Sequence, residues 1–230
     1  MAIRTPLLTN DGSYTIYHSE LNEIYHSRHG ALTESQHVFI HHGLLHQLHK
    51  MDHIALLEVG YGTGLNLLLT IIELQNPLHA TKHIEYTGIE KYPLEEQEYV
   101  QLHYPSILQH THTLQWFEMI HHSQSNSRNP ITPNFFFTPI HTGIEAHLAQ
   151  ITRLGPQYNL IYFDAFGPNT QSELWTASLF KQLYEVATLG AVLVTYCAKG
   201  AVRRAMQEAG WTVERLAGPP GKREMIRATK

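Results

Sequence analysis

The sequence predicts an α/β fold built on a mostly parallel sheet, and three observations support this prediction. Apolar runs of strand length alternate with segments of helical spacing along most of the chain. The run at 158–164 is almost continuously apolar, which is typical of a strand covered on both sheet faces. The last two strands, at 211–216 and 224–228, are joined by a link too short for a crossover helix, so they must be antiparallel. We therefore expect a mostly parallel seven-stranded sheet that closes with a C-terminal antiparallel hairpin.

The predicted elements divide the chain into two parts. Residues 1–50 form a small N-terminal extension, with a strand at 14–17 and a helix over 32–48, and residues 51–230 form the main domain. The main domain is predicted to contain, in order, strand 54–57, helix 65–74, strand 84–90, a helix from Pro93 to His103, a helical piece at 105–118, a loop at 123–133, strand 135–140, helix 144–152, strand 158–164, helix 174–188, strand 191–196, helix 202–209 and the hairpin.

Composition indicates a globular protein of a reducing compartment. Cys197 is the only cysteine, so no intrachain disulfide is possible and a cytoplasmic location is expected. No stretch approaches the roughly 20 apolar residues of a membrane span, and the N-terminus lacks the apolar core of a signal peptide. The 18 histidines are scattered without the spacing of a zinc site, so no metal is expected.

Charge is distributed unevenly along the chain. The net charge is −4, but the segment from Lys199 to the end holds eight Lys and Arg against three Glu, giving 8 − 3 = +5. This basic segment is either a phosphate-contacting surface or an ordinary solvated one.

Residues 58–64, Glu-Val-Gly-Tyr-Gly-Thr-Gly, join the first core strand to the first core helix. Gly60, Gly62 and Gly64 carry no Cβ, so backbone N–H groups of the turn can approach a ligand closely. The register is G-x-G-x-G, whereas a dinucleotide site needs G-x-G-x-x-G. With Glu58 ahead of the first glycine, the loop resembles the S-adenosylmethionine loop of Rossmann-like class I methyltransferases. The alternative is a glycine-rich turn that binds nothing.

Two further acids follow predicted parallel strands, where ligands of such sheets bind. Glu90 ends the second strand and is placed to accept hydrogen bonds from the ribose hydroxyls of an adenosyl group; the alternative is a surface acid. Asp164 ends an apolar strand and is partly desolvated, which indicates a partner or a function. Asp164 with Phe166 offers an amine acceptor beside an aromatic face, unless Asp164 merely caps the next helix.

Cations collect at the same end of the predicted sheet. The hairpin turn brings Lys222 and Arg223 to this rim, and Lys199, Arg203 and Arg204 follow the end of the fifth strand. Such a cluster suits a polyanionic substrate.

Several motifs resemble the MnmD family, the methyltransferase that forms the N-terminal half of bifunctional MnmC. They extend from about residue 11 to the end and comprise Asp164-Ala-Phe-Gly-Pro, Glu173-Leu-Trp175, Thr195-Tyr-Cys-Ala-Lys-Gly200, Val202-Arg203-Arg204, Gly218-Pro-Pro-Gly-Lys-Arg-Glu-Met225, Tyr25-His-Ser-Arg-His-Gly30 and Glu34-Ser35 with Val38-Phe39. The resemblance implies methyl transfer from S-adenosylmethionine to the primary amine of 5-aminomethyl(-2-thio)uridine at the tRNA wobble position, giving the 5-methylaminomethyl product. It also implies tRNA as partner. No oxidase domain is expected in the sequence up to Lys230, so a separate enzyme is expected to supply the aminomethyl intermediate.

The expected site combines both lines of reasoning. Asp164 is the expected catalytic residue. The family commonly has an Asp after the third strand to bind the adenine amino group; here Thr142 or a backbone group would serve instead. The expected cofactor-binding residues are Glu58, Gly60, Tyr61, Gly62, Thr63, Gly64, Asn66, Glu90, Lys91, Thr142, Asp164 and Phe166, and the expected substrate-binding residues are Tyr25, Glu34, Phe166, Lys199, Arg203, Arg204, Lys222 and Arg223.

Two other classes of protein share some of these features. A class I methyltransferase acting on a different amine, in a small molecule or a protein, would need the glycine loop and Glu90 but not the basic rim. A non-catalytic nucleotide-binding module would bind adenosyl ligands without turnover, and it would have no use for Asp164 and Phe166.

Overall fold

A computed structural model describes residues 4–155 and 157–230, and its first element is a small antiparallel sheet. The three strands are β1 (Arg4–Leu8), β2 (Tyr14–His18) and β3 (Glu23–Ile24). A continuous helical segment follows, made of α1 (Ala31–Ser35), a π-helical stretch (Gln36–Leu45) and α2 (His46–Leu48). The predicted strand and helix of the extension are thus present, and two short strands flank the predicted one.

The main sheet has eight strands rather than the predicted seven. In chain order they are β4 (His53–Val59), β5 (His83–Ile89), β6 (Asn129–Thr132), β7 (Phe135–Ile140), β8 (Tyr158–Phe163), β9 (Ala187–Thr195), β10 (Thr212–Ala217) and β11 (Glu224–Thr229). Their spatial order is β10-β11-β9-β8-β4-β5-β7-β6. The five central strands are parallel, and β11 pairs antiparallel with both β9 and β10, as the short hairpin link requires.

The eighth strand, β6, lies in the stretch that the sequence predicts to be a loop. β6 pairs antiparallel with β7 at the edge of the sheet, with an irregular register between Pro130 and Thr132. A proline lacks the N–H that a central strand must donate, but an edge strand tolerates it. The loop-like composition is therefore compatible with a short edge strand.

The helices of the main domain are α3 (Leu65–Leu74), α4 (Glu96–Tyr99), α5 (Tyr104–Leu108), α6 (Thr113–His121), α7 (Ile144–Ile151), α8 (Ala177–Val186) and α9 (Gly200–Glu208). The prediction that Pro93 opens a helix is wrong, because that helix begins after Glu95, which forms a capping box with Glu98. None of the helices within the described residues combines the length and hydropathy needed to cross a membrane.

Helices cover the main sheet on both faces. On one face, the π-helical stretch packs against β8 and β9 at Gly43, where a Cβ would lie 2.9 Å from Val194 Cγ2 and 3.1 Å from Tyr162 Cε1. Phe39 of the same stretch contacts the Tyr162 ring at 5.2 Å between centroids. The other face packs against α7, α8 and α9. Because both faces are buried, ligands can reach the sheet only at its ends.

Candidate active site

The candidate site lies where the strand order reverses direction. From β4 the chain proceeds through β5 to β7 on one side of the sheet, and β8 and β9 lie on the other side. The loops after β4 and β8 therefore diverge and leave a crevice at the carboxyl end of the sheet. A cavity of about 1150 Å³ occupies this crevice.

The glycine loop forms one wall of the cavity. Gly60 has a φ of 82°, and a Cβ at this position would lie 2.8 Å from the backbone oxygen of Asp164. Gly64 caps α3 with a φ of 75° and donates its N–H to the Tyr61 oxygen at 2.7 Å. Left-handed backbone and close approach of a second strand both favour glycine. These backbone conformations and close contacts explain why glycine occupies positions 60 and 64.

Glu90 is hydrogen-bonded to the glycine loop and to the turn after β5. One carboxylate oxygen accepts the Gly62 N–H at 3.1 Å, and the other accepts the Tyr92 N–H at 2.9 Å. Burial raises the pKa of Glu90, although these backbone hydrogen bonds and the charge of Arg4 lower it. Glu90 lies at the carboxyl end of β5 beside the cavity, at a position where it can accept hydroxyl donors.

Two side chains at the floor of the cavity, Asn66 and Asp164, form a connected polar cluster with Glu58, which lies beneath them. Asn66 Nδ2 donates to Glu58 Oε1 and to Asp164 Oδ2, each at 2.8 Å. Glu58 is fully buried, and its second oxygen accepts the Tyr86 hydroxyl at 2.5 Å. Burial raises the pKa of Glu58 to about 7, and burial together with the charge of Glu58 raises that of Asp164 well above its usual range. The carboxyl groups of Glu58 and Asp164 therefore repel each other, and the side-chain amide of Asn66 lies between them.

Aromatic rings line the wall beside Asp164. The rings of Tyr25 and Phe166 meet edge to face with centroids 5.0 Å apart, and the His18 ring lies 6.4 Å from Phe166. Trp175 Nε1 donates to the Phe166 carbonyl at 2.8 Å, which anchors the turn that carries this ring. The arrangement offers an apolar surface to a flat group.

Thr142, which the sequence predicts to replace an adenine-binding Asp, lines the cavity. Its neighbour His141 hydrogen-bonds through Nε2 to the Tyr61 hydroxyl at 3.0 Å. This contact ties the loop after β7 to the glycine loop.

The five predicted rim cations do not have equal surroundings. Lys222 forms an ion pair with Glu34, which is buried, and its ammonium lies 3.9 Å from the centre of the Tyr196 ring. Lys199 is exposed and donates to Asn169 Oδ1 at 2.8 Å. Lys199, Arg203, Arg204 and Arg223 have no acidic side chain within 4.0 Å among the described residues. These four cations, here called the rim cluster, retain their charge for a ligand.

The structure brings together eleven of the predicted residues around the cavity: Tyr25, Gly60, Tyr61, Gly62, Thr63, Asn66, Glu90, Lys91, Thr142, Asp164 and Phe166. The others do not line it: Glu34 and Lys222 pair beside it, Glu58 lies beneath it, Gly64 caps α3, and the rim cluster lies outside. Arg4 and His18 also line the cavity and lie in no motif that would have predicted them, whereas His26 lines it and lies in the motif at 25–30, of which only Tyr25 is predicted to bind substrate. No cluster of three or more His, Cys, Asp or Glu suited to a metal ion is found in the part of the chain that the structure describes.

Comparison with known proteins agrees with this geometry. A family model described as S-adenosyl-L-methionine-dependent methyltransferase matches residues 96–230. The chain belongs to this family. It is therefore a methyltransferase with S-adenosyl-L-methionine as its cofactor.

Curated relatives and solved structures are similar over nearly the whole chain. The bifunctional MnmC proteins of tRNA 5-methylaminomethyl-2-thiouridine biosynthesis from Cupriavidus metallidurans and Aromatoleum aromaticum are 29% and 30% identical, over 96% and 95% of this chain. The chain spans about a third of their length, 33% and 34% respectively. The structure of MNMC2 from Aquifex aeolicus has a TM-score of 0.78 at 22% identity and covers all of this chain and 71% of its own. Spermidine synthase from Thermotoga maritima has a TM-score of 0.59 at 10% identity, covering 100% of this chain and 69% of its own.

The residues around the cavity fit the cofactor of the family. The glycine loop bares its backbone at the entrance of α3, and Glu90 presents carboxylate oxygens at the end of β5. Asn66 Oδ1 is buried and has no hydrogen-bond partner, so a polar atom at the cavity floor is unsatisfied by the protein alone. The cavity is large enough for a nucleoside together with an acceptor group.

Proposed function

We propose that this methyltransferase acts on the primary amine of 5-aminomethyl(-2-thio)uridine at the tRNA wobble position. The observation that carries the proposal is the carboxylate of Asp164 beside Phe166 in the cavity. One oxygen of Asp164 accepts from Asn66, and the other has no hydrogen-bond partner among the described residues, so it is available to an amine. The similarity to MnmC proteins supports the same substrate class.

Bound S-adenosylmethionine supplies an activated methyl group on a sulfonium. The glycine loop, Glu90 and Thr142 are proposed to hold this cofactor. Asp164 accepts an N–H of the substrate amine, directs its lone pair and takes up the proton that the nitrogen releases. The raised pKa of Asp164 suits a proton acceptor. Positioning supplies most of the acceleration in such a displacement.

The wobble base is proposed to enter the cavity flipped out of the anticodon loop. Bases of single-stranded loops are readily splayed and stacked on aromatic side chains. Phe166 and Tyr25 provide that wall, and the rim cluster is proposed to contact the phosphates around the entrance. A separate enzyme that supplies the aminomethyl intermediate, and a location in the cytoplasm with tRNA, belong to the same proposal.

Methyl transfer to a different amine is the second candidate. Among the lining residues of the cavity, acids outnumber the cations Arg4 and Lys91. The acids are Glu20, Glu90, Glu95, Glu98, Glu145, Asp164 and Glu173. Such a lining attracts any protonated amine, including a small polyamine. The rim cluster distinguishes the tRNA substrate from a small amine, because a small cationic amine would not bind to the four unpaired cations outside the cavity.

The test is methyl transfer from labelled S-adenosylmethionine to tRNA that carries the aminomethyl intermediate, followed by nucleoside analysis. We expect label in the 5-methylaminomethyl nucleoside, and loss of more than about 100-fold in kcat for Asp164→Asn, which keeps the shape but loses the negative charge. Cofactor binding measured on the same variant is the control. Absence of label in tRNA, with transfer to a small polyamine instead, would contradict the proposal in favour of the second candidate.

A further inference from the structure

The polar cluster of Glu58, Asn66 and Asp164 contains three residues that sequence reasoning assigns to the cofactor. Glu58 cannot touch a ligand, because it is 0% exposed and does not line the cavity. Its oxygens are taken by Asn66 and by Tyr86, which is itself buried at 1% exposure. Any influence of Glu58 on the reaction must therefore pass through a neighbouring side chain.

Asn66 is that neighbour, and its amide is held in one orientation. A primary amide has two N–H donors, and both are used here, one on each carboxylate. Rotation of the amide by 180° would turn its carbonyl oxygen toward the two acids and remove both hydrogen bonds. Asn66 is 3% exposed, so water cannot replace them.

The orientation of Asn66 decides which oxygen of Asp164 faces the cavity. Asp164 Oδ2 is bound to Asn66, which leaves Oδ1 as the acceptor for a ligand. The Asp164 backbone is held independently, since its N–H donates to the Val59 oxygen at 3.0 Å. Asn66 therefore controls the carboxylate plane and not the position of the main chain.

We propose that Asn66, locked by Glu58 and Tyr86, is a positioning residue that aims Asp164 at the acceptor amine. This inference rests on the proposed role of Asp164 as the amine acceptor. It reassigns Glu58 from cofactor binding to support of Asn66. The arrangement also makes the ionisation of Asp164 depend on two neighbours with opposite effects.

The signs of these effects follow from the charges around Asp164. The Asn66 hydrogen bond stabilises the ionised carboxylate and lowers its pKa, and the Glu58 charge raises it. The other groups that act on Asp164 are Glu34, which raises its pKa, and Lys222, which lowers it. Tyr196, whose own pKa is raised far above its usual range, stays uncharged. Removing the Asn66 donor should therefore raise the pKa of Asp164, and neutralising Glu58 should lower it.

The composition of the chain allows a direct measurement. Asp11, Asp52 and Asp164 are its only aspartates, so ¹³C labelling of aspartate carboxyls gives three NMR signals to follow against pH. Asp164→Asn assigns the signal of interest. We expect Asn66→Leu to raise the pKa of Asp164 and Glu58→Gln to lower it, with the other two signals unchanged.

Kinetics test the consequence for turnover. In Asn66→Leu we expect kcat to fall on the order of 100-fold, because misorientation affects the reacting geometry, while the Kd for S-adenosylmethionine changes by less than about tenfold, because at most one hydrogen bond to the cofactor is lost. Gln47→Leu is the matched control. Gln47 is a buried amide near the opposite end of the sheet, donating to the Asn159 and Gly190 oxygens at 2.6 and 3.3 Å. Its loss should lower stability without moving the Asp164 titration.

The outcomes separate the inference from the proposed function. Asn66→Leu with an unchanged Asp164 titration and a lost Kd for the cofactor would make Asn66 a cofactor ligand and overturn the inference. If Asn66→Leu does not fold, Glu58→Gln decides, because an unchanged pKa of Asp164 there contradicts the coupling. The NMR titration needs no tRNA, so failure of the tRNA assay leaves this test intact.

Discussion

Gly60 lies in the glycine loop directly against the backbone of Asp164. Its Cα is separated from the Asp164 backbone by less space than a methyl group needs, and its φ of 82° lies in the left-handed region. Backbone strain lowers stability by roughly 1–2 kcal/mol for an L-residue. The contact with Asp164 would lower stability further and would also change the shape of the site.

We therefore expect Gly60→Ala to lose stability and to weaken S-adenosylmethionine binding by at least about tenfold, since the loop must move away from Asp164. Gly12→Ala is the matched control, because Gly12 has a φ of 81° with no atom within 4 Å of its would-be Cβ. Urea unfolding should show a loss for both variants that is larger for Gly60→Ala, because only its Cβ meets another atom, and calorimetric titration should show a loss of affinity for Gly60→Ala alone. Equal affinities in the two variants would contradict the steric role of Gly60.

At the scale of elements, an ion pair joins the β10–β11 hairpin to the N-terminal helix. Lys222 lies in the turn between β10 and β11, and Glu34 lies in α1 with its second oxygen accepting the Ser27 N–H at 3.0 Å. The Glu34 side chain is only 7% exposed, so it needs a partner. Lys222 therefore joins two elements beside the cavity rather than presenting a free charge.

A double-mutant cycle measures this link. Lys222→Met should cost about 2–4 kcal/mol in the free energy of unfolding, because it leaves the Glu34 carboxylate buried and unpaired. Adding Glu34→Gln should restore much of that loss. The exposed pair Arg215–Glu224, at 3.1 Å in the same hairpin, is the control and should show a coupling below about 1 kcal/mol. A coupling for Lys222–Glu34 no larger than the control would contradict the structural role.

At the scale of the whole molecule, charge is separated between the cavity and its surroundings. Of the eight cations from Lys199 onward, Arg215 and Arg227 pair with acids of the hairpin, Lys222 pairs with Glu34, and Lys230 donates to the Tyr184 and Ala187 oxygens at 2.6 and 2.8 Å. The rim cluster is what remains. An acidic cavity with cations outside it suits an amine carried on a polyanion.

Neutralising the rim cluster tests this separation. With Lys199, Arg203, Arg204 and Arg223 changed to Gln, the slope of log K for tRNA against log salt should decrease in magnitude by roughly 3, because four single-strand phosphate contacts are lost. The control replaces the same number of exposed cations elsewhere: Lys50, Arg128, Arg153 and Lys181. The control has the same net charge, so an equal change in slope would show that the effect is not local to the rim.

The local elements follow from the sequence because their causes are local. Helix α3 begins and ends at the predicted residues, Leu65 and Leu74, since glycine at its start and apolar spacing along it specify both. Glu90 and Asp164 are found at the predicted strand ends because a parallel sheet collects carboxyl ends at one edge. The division of the chain at residue 50 stays a prediction, although Phe39 packs on the same core as Tyr162.

The sequence by itself determined the fold class and the positions of the glycine loop and of the acid at the end of β8, because strand and helix periodicity, glycine spacing and an acid after an apolar strand are each read within a few residues. Only the tertiary structure decided the partners of these residues. It buried Glu58 behind Asn66, paired Lys222 with Glu34 across 188 positions, and brought Arg4, His18 and His26 to the cavity. Such contacts depend on how distant elements pack, and no local pattern in the chain records that packing.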